Sequence, residues 1–299
     1  MTAADLSRML LLAALWGASF MFMRVVVPVL GAVPTTVGRV ALGAAGLLAV
    51  VLLMRVPRDF RGRGHATLML GVVNSGLPFL LFALAARVLP AGYSAILNAM
   101  TPLMGILIGA LAFGERVTAP KLAGVLLGLA GVAVLTQTGP VAMTAATAVG
   151  VGACLLATLC YALAGFLTRR WISDRGGLDS RLVALGSQTG ALLFTLPFLA
   201  WQAAQAPLPW AEATALVWGA LAILGLACTS LAYILYFRLI ADLGAVRAMS
   251  VTFLIPLFGV LWGWLLLGEV LSLAHGVGGG LIALALWLVL RAPAPASPR

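Results

Sequence analysis

The landmarks of this chain occur twice at one spacing. Pro102, Gly105, Gly109, Gly114 and Glu115 return 154 residues later as Pro256, Gly259, Gly263, Gly268 and Glu269. The same register pairs Gly71 with Gly225, Phe82 with Tyr236 and Gly124 with Gly278. The segments that carry it are apolar runs of about 20 residues, the length an α-helix needs to cross the hydrocarbon core of a bilayer. A repeat on such runs restricts the fold to helices packed in lipid as two related halves. A transmembrane barrel is excluded because the runs do not alternate polar with apolar residues.

Hydrophobic residues make up 63% of the chain and charged residues 9%, with a mean hydropathy of +1.13. A soluble domain carries about 25% charge. Ten spans are predicted, over residues 8–27, 33–54, 67–86, 91–113, 119–136, 147–168, 182–201, 213–237, 247–267 and 272–290. The first could be mistaken for a signal peptide. However, Trp16-Gly17 and Arg24 have counterparts 145 residues on, in Tyr161-Ala162 and Arg169 of the sixth span. A segment with an internal counterpart belongs to the mature fold. The net charge of +10 would suggest nucleic acid in a soluble protein. Here the charges lie in short loops, so no nucleic-acid partner is expected. Cys154, Cys160 and Cys228 sit inside apolar runs and are read as packing residues rather than a disulfide framework.

Basic residues orient the chain, because Lys and Arg are retained on the cytoplasmic side. With the N-terminus inside, the inner segments hold Arg8; Arg55, Arg58, Arg61 and Arg63; Arg116 and Lys121; Arg169, Arg170, Arg175 and Arg181; Arg238 and Arg247; Arg291 and Arg299. These are 15 of the 18, and only Arg24, Arg39 and Arg87 fall outside. Five spans per half is an odd number, so the second half enters the membrane inverted. The fold expected is an all-α membrane protein of ten transmembrane helices in two inverted-topology five-helix repeats. Residues 1–140 and 141–299 form the halves of one integrated transmembrane domain.

Several of these residues also match a known family. Trp16-Gly17-Ala18-Ser19-Phe20, Arg39, and the Pro-to-Gly-Glu segments 102–115 and 256–269 resemble the drug/metabolite transporter superfamily, in its ten-helix EamA-type branch. Within that branch the chain is most similar to exporters of aromatic amino acids. The resemblance implies a carrier of the bacterial inner membrane with both termini cytoplasmic. It also implies a central cavity lined by spans 1, 3, 4, 6, 8 and 9, with spans 5 and 10 peripheral.

Candidate substrate-binding residues follow from helical spacing. Ser75, Phe79 and Phe82 share one face of the third span, and their counterparts Thr229, Tyr233 and Tyr236 share one of the eighth. Such a stripe suits an aromatic or apolar cargo with a polar end; interhelix packing is the alternative. Asn98 and Thr252 stand four residues before Pro102 and Pro256. Each proline lacks the N–H that would bond the carbonyl at 98 or 252, so the pair are candidate hinges with free acceptors beside polar side chains. A static kink is the alternative. Trp16 and Phe20 of the first span and Tyr161 of the sixth complete the predicted wall. Arg24, on the Trp16/Phe20 face, is the candidate receptor for a substrate carboxylate; Arg39 is read similarly, or as a cap for loop carbonyls. Arg169 is read as reaching for headgroups.

Glu115 and Glu269 close the fourth and ninth spans, and all eight acids fall at termini, loops or span ends. These two acids are expected to pair with loop arginines or complement a helix dipole rather than carry protons. No cofactor, metal site or catalytic constellation is expected, which leaves a secondary carrier for amino acids or similar small metabolites. The alternatives are an exporter of other metabolites or drugs and a channel-like facilitator. The partners expected are the small-molecule substrate and membrane lipid. The Gly-x-x-x-Gly runs at 105, 124 and 259 are expected to pack helices within a monomer, with a homodimer as the alternative.

Overall fold

The computed structural model describes residues 2–114, 117–243 and 250–291, and the regular elements among them are all helical. The helices are α1 Ala3–Leu30, α2 Ala32–Leu53, α3 Gly64–Gly71, α4 Leu77–Ala85, α5 Ala91–Asn98, α6 Thr101–Phe113, α7 Ala119–Thr138, α8 Ala145–Trp171, α9 Ser180–Gln205, α10 Ala215–Ala222, α11 Ala232–Leu243, α12 Ile255–Leu267 and α13 Leu273–Arg291. A capping box of Thr2 and Asp5 starts α1 five residues before the predicted span. Gly31, at φ 83, ends it and lets α2 begin at the next residue.

Among the described residues, six helical stretches are long and apolar enough to cross a membrane: Ala3–Leu30, Ala32–Leu53, Gly64–Ala85, Ala145–Arg175, Ser180–Gln205 and Ala215–Tyr236. A seventh is the pair α5 and α6, if it is taken as one span bent by 40°. The span predicted over 91–113 is broken at residues 99–100, between α5 and α6. The amides of Ala99 and Met100 bond back three residues, to Ile96 and Leu97, and the helix restarts with Pro102 in its first turn. Shorter apolar helices cover Ala119–Leu135, Val251–Leu267 and Leu273–Leu288. The surface is apolar as well as the interior: Leu111 is 86% exposed and Leu216 72%. In water that would be a liability; it fits a solvent of lipid chains. The chain is therefore a multi-pass membrane protein.

The third and eighth predicted spans share an irregularity. Val72–Gly76 joins α3 to α4 as a π-helix, and Ile223–Leu231 joins α10 to α11 in the same way. The two π segments overlap in the 154-residue register. In the second, Thr229 Oγ1 donates to the carbonyl of Leu224 at 3.0 Å and Ser230 Oγ to that of Gly225 at 3.3 Å, five residues back. Ser230 Oγ also reaches the carbonyl of Gly43 in α2 at 3.0 Å. Such bulges re-aim side chains inside a helix and concentrate at functional sites.

Close packing at small residues sets which helices touch. A β-carbon at Gly17 would lie 2.7 Å from that of Phe258, and one at Gly259 would collide with Ala95. These contacts press α12 against α1 and α5, so Gly259 is used within the chain. Glu115 and Arg116, Arg247 and the tail from residue 292 lie outside the described residues.

Candidate functional site

The helices enclose a cavity of about 510 Å³. Its wall draws on α1 (Trp16, Ser19, Phe20, Met23), the third span (Leu70, Asn74, Phe79, Phe82), α5 and α6 (Asn98, Thr101) and α8 (Tyr161 to Arg169). The eighth span adds Cys228, Tyr233 and Tyr236, and the ninth Thr252 and Ile255. Of the predicted binding residues, Trp16, Phe20, Phe79, Asn98, Tyr161, Tyr233 and Thr252 therefore face one space, with Phe82 and Tyr236 of the two stripes beside them. α2 and α9 also contribute, through Arg39 and through Val183, Ala184 and Ser187, beyond the six spans that the family resemblance implies.

Aromatic rings dominate one side. Phe20 meets Phe82 edge-on with centroids 5.2 Å apart, Phe82 stacks on Tyr161 at 6.1 Å, and Trp16 tilts against Tyr236 at 5.3 Å. These rings offer faces and edges to an apolar or aromatic group at small entropic cost, since each has only two side-chain torsions.

Three predicted residues stand outside the lining. Ser75 is fully buried behind the wall and accepts a 2.9 Å bond from Gln188 Nε2. Thr229 is also fully buried and receives Arg39 Nε at 3.2 Å. Arg24 turns away, and its Nη1 donates to the carbonyl of Ala86 at 2.8 Å, at the end of α4. The carbonyl of Asn98 is not left free as expected, because Thr101 Oγ1 donates to it at 2.8 Å. That hydroxyl replaces the partner which Pro102 removes. Asn98 thus offers the cavity its side chain rather than its backbone.

The buried cation in the cavity wall, among the described residues, is Arg39, only 6% exposed. Its guanidinium carbon sits 3.6 Å from the centroid of the Phe79 ring. Besides the bond to Thr229, Nη1 approaches Met23 Sδ at 3.9 Å. No carboxylate pairs with Arg39 among the described residues; the ionisable groups around it are Tyr161, Cys228 and Tyr233. Ring stacking on a desolvated cation contributes about 2 kcal/mol. That is less than the several kcal/mol that removing an ion from water costs. Among the described residues the guanidinium therefore lacks a counter-charge.

The sequence underrated this residue although its depth was readable. Arg39 lies seven residues into α2, about 10 Å from its start, which is too deep for a loop contact. Ser187 had no such signal. Its hydroxyl is buried, lines the cavity and has no hydrogen-bond partner among the described residues. Asn74 Nδ2 donates to the Tyr233 hydroxyl at 3.0 Å, joining the two π-interrupted spans across the cavity. Arg169, whose side chain is 77% exposed, and Ser173 line the mouth at the C-terminal end of α8. Outside the spans, Asp179 is held below the usual carboxylate range by the hydrogen bonds it accepts from Arg181.

Comparison with known proteins adds to this geometry. A "Probable terminal-alkyne amino-acid exporter" from Streptantibioticus cattleyicolor is 27% identical over 192 residues, which are 64% of this chain and 61% of that protein. A solved crystal structure shares the fold with a TM-score of 0.63, at 18% identity over 98% of this chain and 99% of the other. The EamA-like transporter family matches twice, over residues 6–137 and 148–291. Members of that family are transporters, not enzymes, and on a match covering both segments this chain belongs to the EamA-like transporter family.

Proposed function

We propose that the chain is a secondary carrier of the bacterial inner membrane that exports amino acids with apolar or aromatic side chains by alternating access. Arg39 carries this reading: a buried cation without a carboxylate partner among the described residues, facing a cavity walled by aromatic rings. A substrate carboxylate completes the charge and an apolar side chain fills the ring-lined side. The cargo class named for the Streptantibioticus relative has the same two parts. Asn98 and Ser187 are polar groups facing the cavity on the side of the amino end.

The architecture in this reading is ten spans in two inverted halves, 1–140 and 141–299, with both termini cytoplasmic. Its support is the 154-residue register, the overlapping π segments, the two family matches and the asymmetry of basic residues. The bent pair and the three shorter apolar helices supply the four spans beyond the six long ones. Prolines 102 and 256, each in the first turn of a restarted helix, are the hinges of the cycle.

Counterflow in proteoliposomes tests the function, because a carrier exchanges labelled for unlabelled substrate and a pore does not. A panel of aromatic, apolar and terminal-alkyne amino acids is set against their methyl esters and the corresponding amines. Free amino acids are expected to exchange and the amines, which lack the carboxylate, are not. Arg39→Gln is expected to raise the half-saturating concentration about tenfold to a hundredfold, since a hydrogen bond to a charged group contributes about 1.5–3 kcal/mol. Amines exchanging as well as amino acids, or flux without counterflow, would overturn the reading.

A further inference from the structure

The cavity is open at one end and clasped at the other. Glu269 follows α12, and its carboxylate reaches a helix 178 residues away in sequence. Oε1 accepts the amide of Ala91 at 2.6 Å and Oε2 that of Gly92 at 3.1 Å. These are the first two amides of α5, the half-helix that ends in the cavity residue Asn98. A helix's first amides have no partner within the helix and carry the positive end of its dipole, so a carboxylate there makes charge-assisted bonds. Space for it is reserved, because a β-carbon at Gly263 would collide with Glu269 Oε2.

The clasp lies far from the mouth. Val88 and Leu89, just before α5, pack on Gly150 near the start of α8. Arg169 and Ser173, at the mouth, lie near its other end. The 19 residues from Gly150 to Arg169 span about 28 Å of helix. Between clasp and cavity, α5 and α12 are in direct contact, Gly92 against Val260 and Ala95 against Gly259. This contact closes the gap between these two helices on the clasped side of Asn98.

We propose that Glu269 is the latch of that end: its two bonds to the first turn of α5 hold the cavity shut there, and their release is the step that opens it to the face opposite Arg169. The proposal rests on the alternating-access reading but not on the identity of the cargo. Glu269 acts as a positioning residue, through α5, without touching the substrate.

The test uses full-length protein, with Cys154, Cys160 and Cys228 replaced by alanine and one reporter, Val260→Cys, placed under the clasp. The rate at which a membrane-impermeant thiol reagent labels the reporter from the clasped face is measured without substrate. Two variants break the same contact from opposite partners. Glu269→Gln removes the charge. Ala91→Pro removes one amide at the first helical position, where proline is accommodated. Each is expected to speed labelling roughly tenfold, the factor that loss of one charge-assisted hydrogen bond carries. Amide hydrogen exchange over residues 90–94 is followed alongside, and thermal unfolding in detergent reports that each variant is folded. Faster amide exchange with unchanged labelling in a folded variant would overturn the latch and make Glu269 a cap only. Labelling that is already fast in the parent would overturn it too. Since no substrate is present, faster labelling upholds the latch even if counterflow rejects amino acids.

Discussion

At the residue scale the function rests on a few polar atoms set among apolar ones. Arg39 is held on the Phe79 ring and on Thr229 Oγ1, so one residue of the third span and one of the eighth, from different halves, meet through one guanidinium. A lysine would keep the charge but lose both the planar stacking and the forked donors. Asn98 offers only its side chain, its carbonyl being occupied by Thr101. Asn98→Ala is therefore expected to weaken apparent affinity about tenfold, the loss of one hydrogen bond to a charged group, with expression unchanged. Competition by unlabelled substrate in the counterflow assay measures it. An affinity equal to the parent's would remove Asn98 from the site.

At the element scale the notable features are interruptions. The fourth span breaks at 99–100, and the third and eighth carry π segments. Each break leaves backbone groups to be satisfied, and hydroxyls do it: Thr101 for Asn98, Thr229 for Leu224 and Ser230 for Gly225. Thr101→Val keeps the shape and removes the donor. It is expected to lower stability by about 1 kcal/mol, the net contribution of a part-buried hydrogen bond. Thermal unfolding in detergent reads this, and an unchanged midpoint would mean that water serves the carbonyl instead. α6 and α12 end alike, at Gly114 with φ 67 and Gly268 with φ 65. A side chain at Gly268 would cost roughly 1–2 kcal/mol in this left-handed conformation.

At the scale of the whole molecule, the basic segments knit one end together. Arg8 and Arg238 share Asp242, at 2.9 Å each, and Arg63 bonds the carbonyl of Gly177 at 2.6 Å. Residue 61 lies in the Arg-rich loop after α2 and residue 206 just beyond the end of α9, in a connection without Lys or Arg. Single cysteines at Arg61 and Ala206 are expected to react from opposite faces of the membrane. Labelling of both from one face would refute the ten-span inverted topology.

The membrane class, the helical fold and most of the aromatic wall could be read from the chain alone. The reason is that lipid forces backbone bonds into helices, and helical period then assigns side chains to faces. Pro102 and Pro256 marked the interruptions because a missing N–H is a property of the residue itself. Three things were decided only by tertiary structure. Arg39 rather than Arg24 is the buried cation in the cavity wall, because α2 carries Arg39 inward under Phe79 while Ala86 takes Arg24. The carbonyl of Asn98 is occupied, because a hydroxyl three residues away turns toward it. Glu269 serves a helix 178 residues distant in sequence. In each case the deciding quantity is which partner lies within hydrogen-bonding distance, and packing between helices sets that distance.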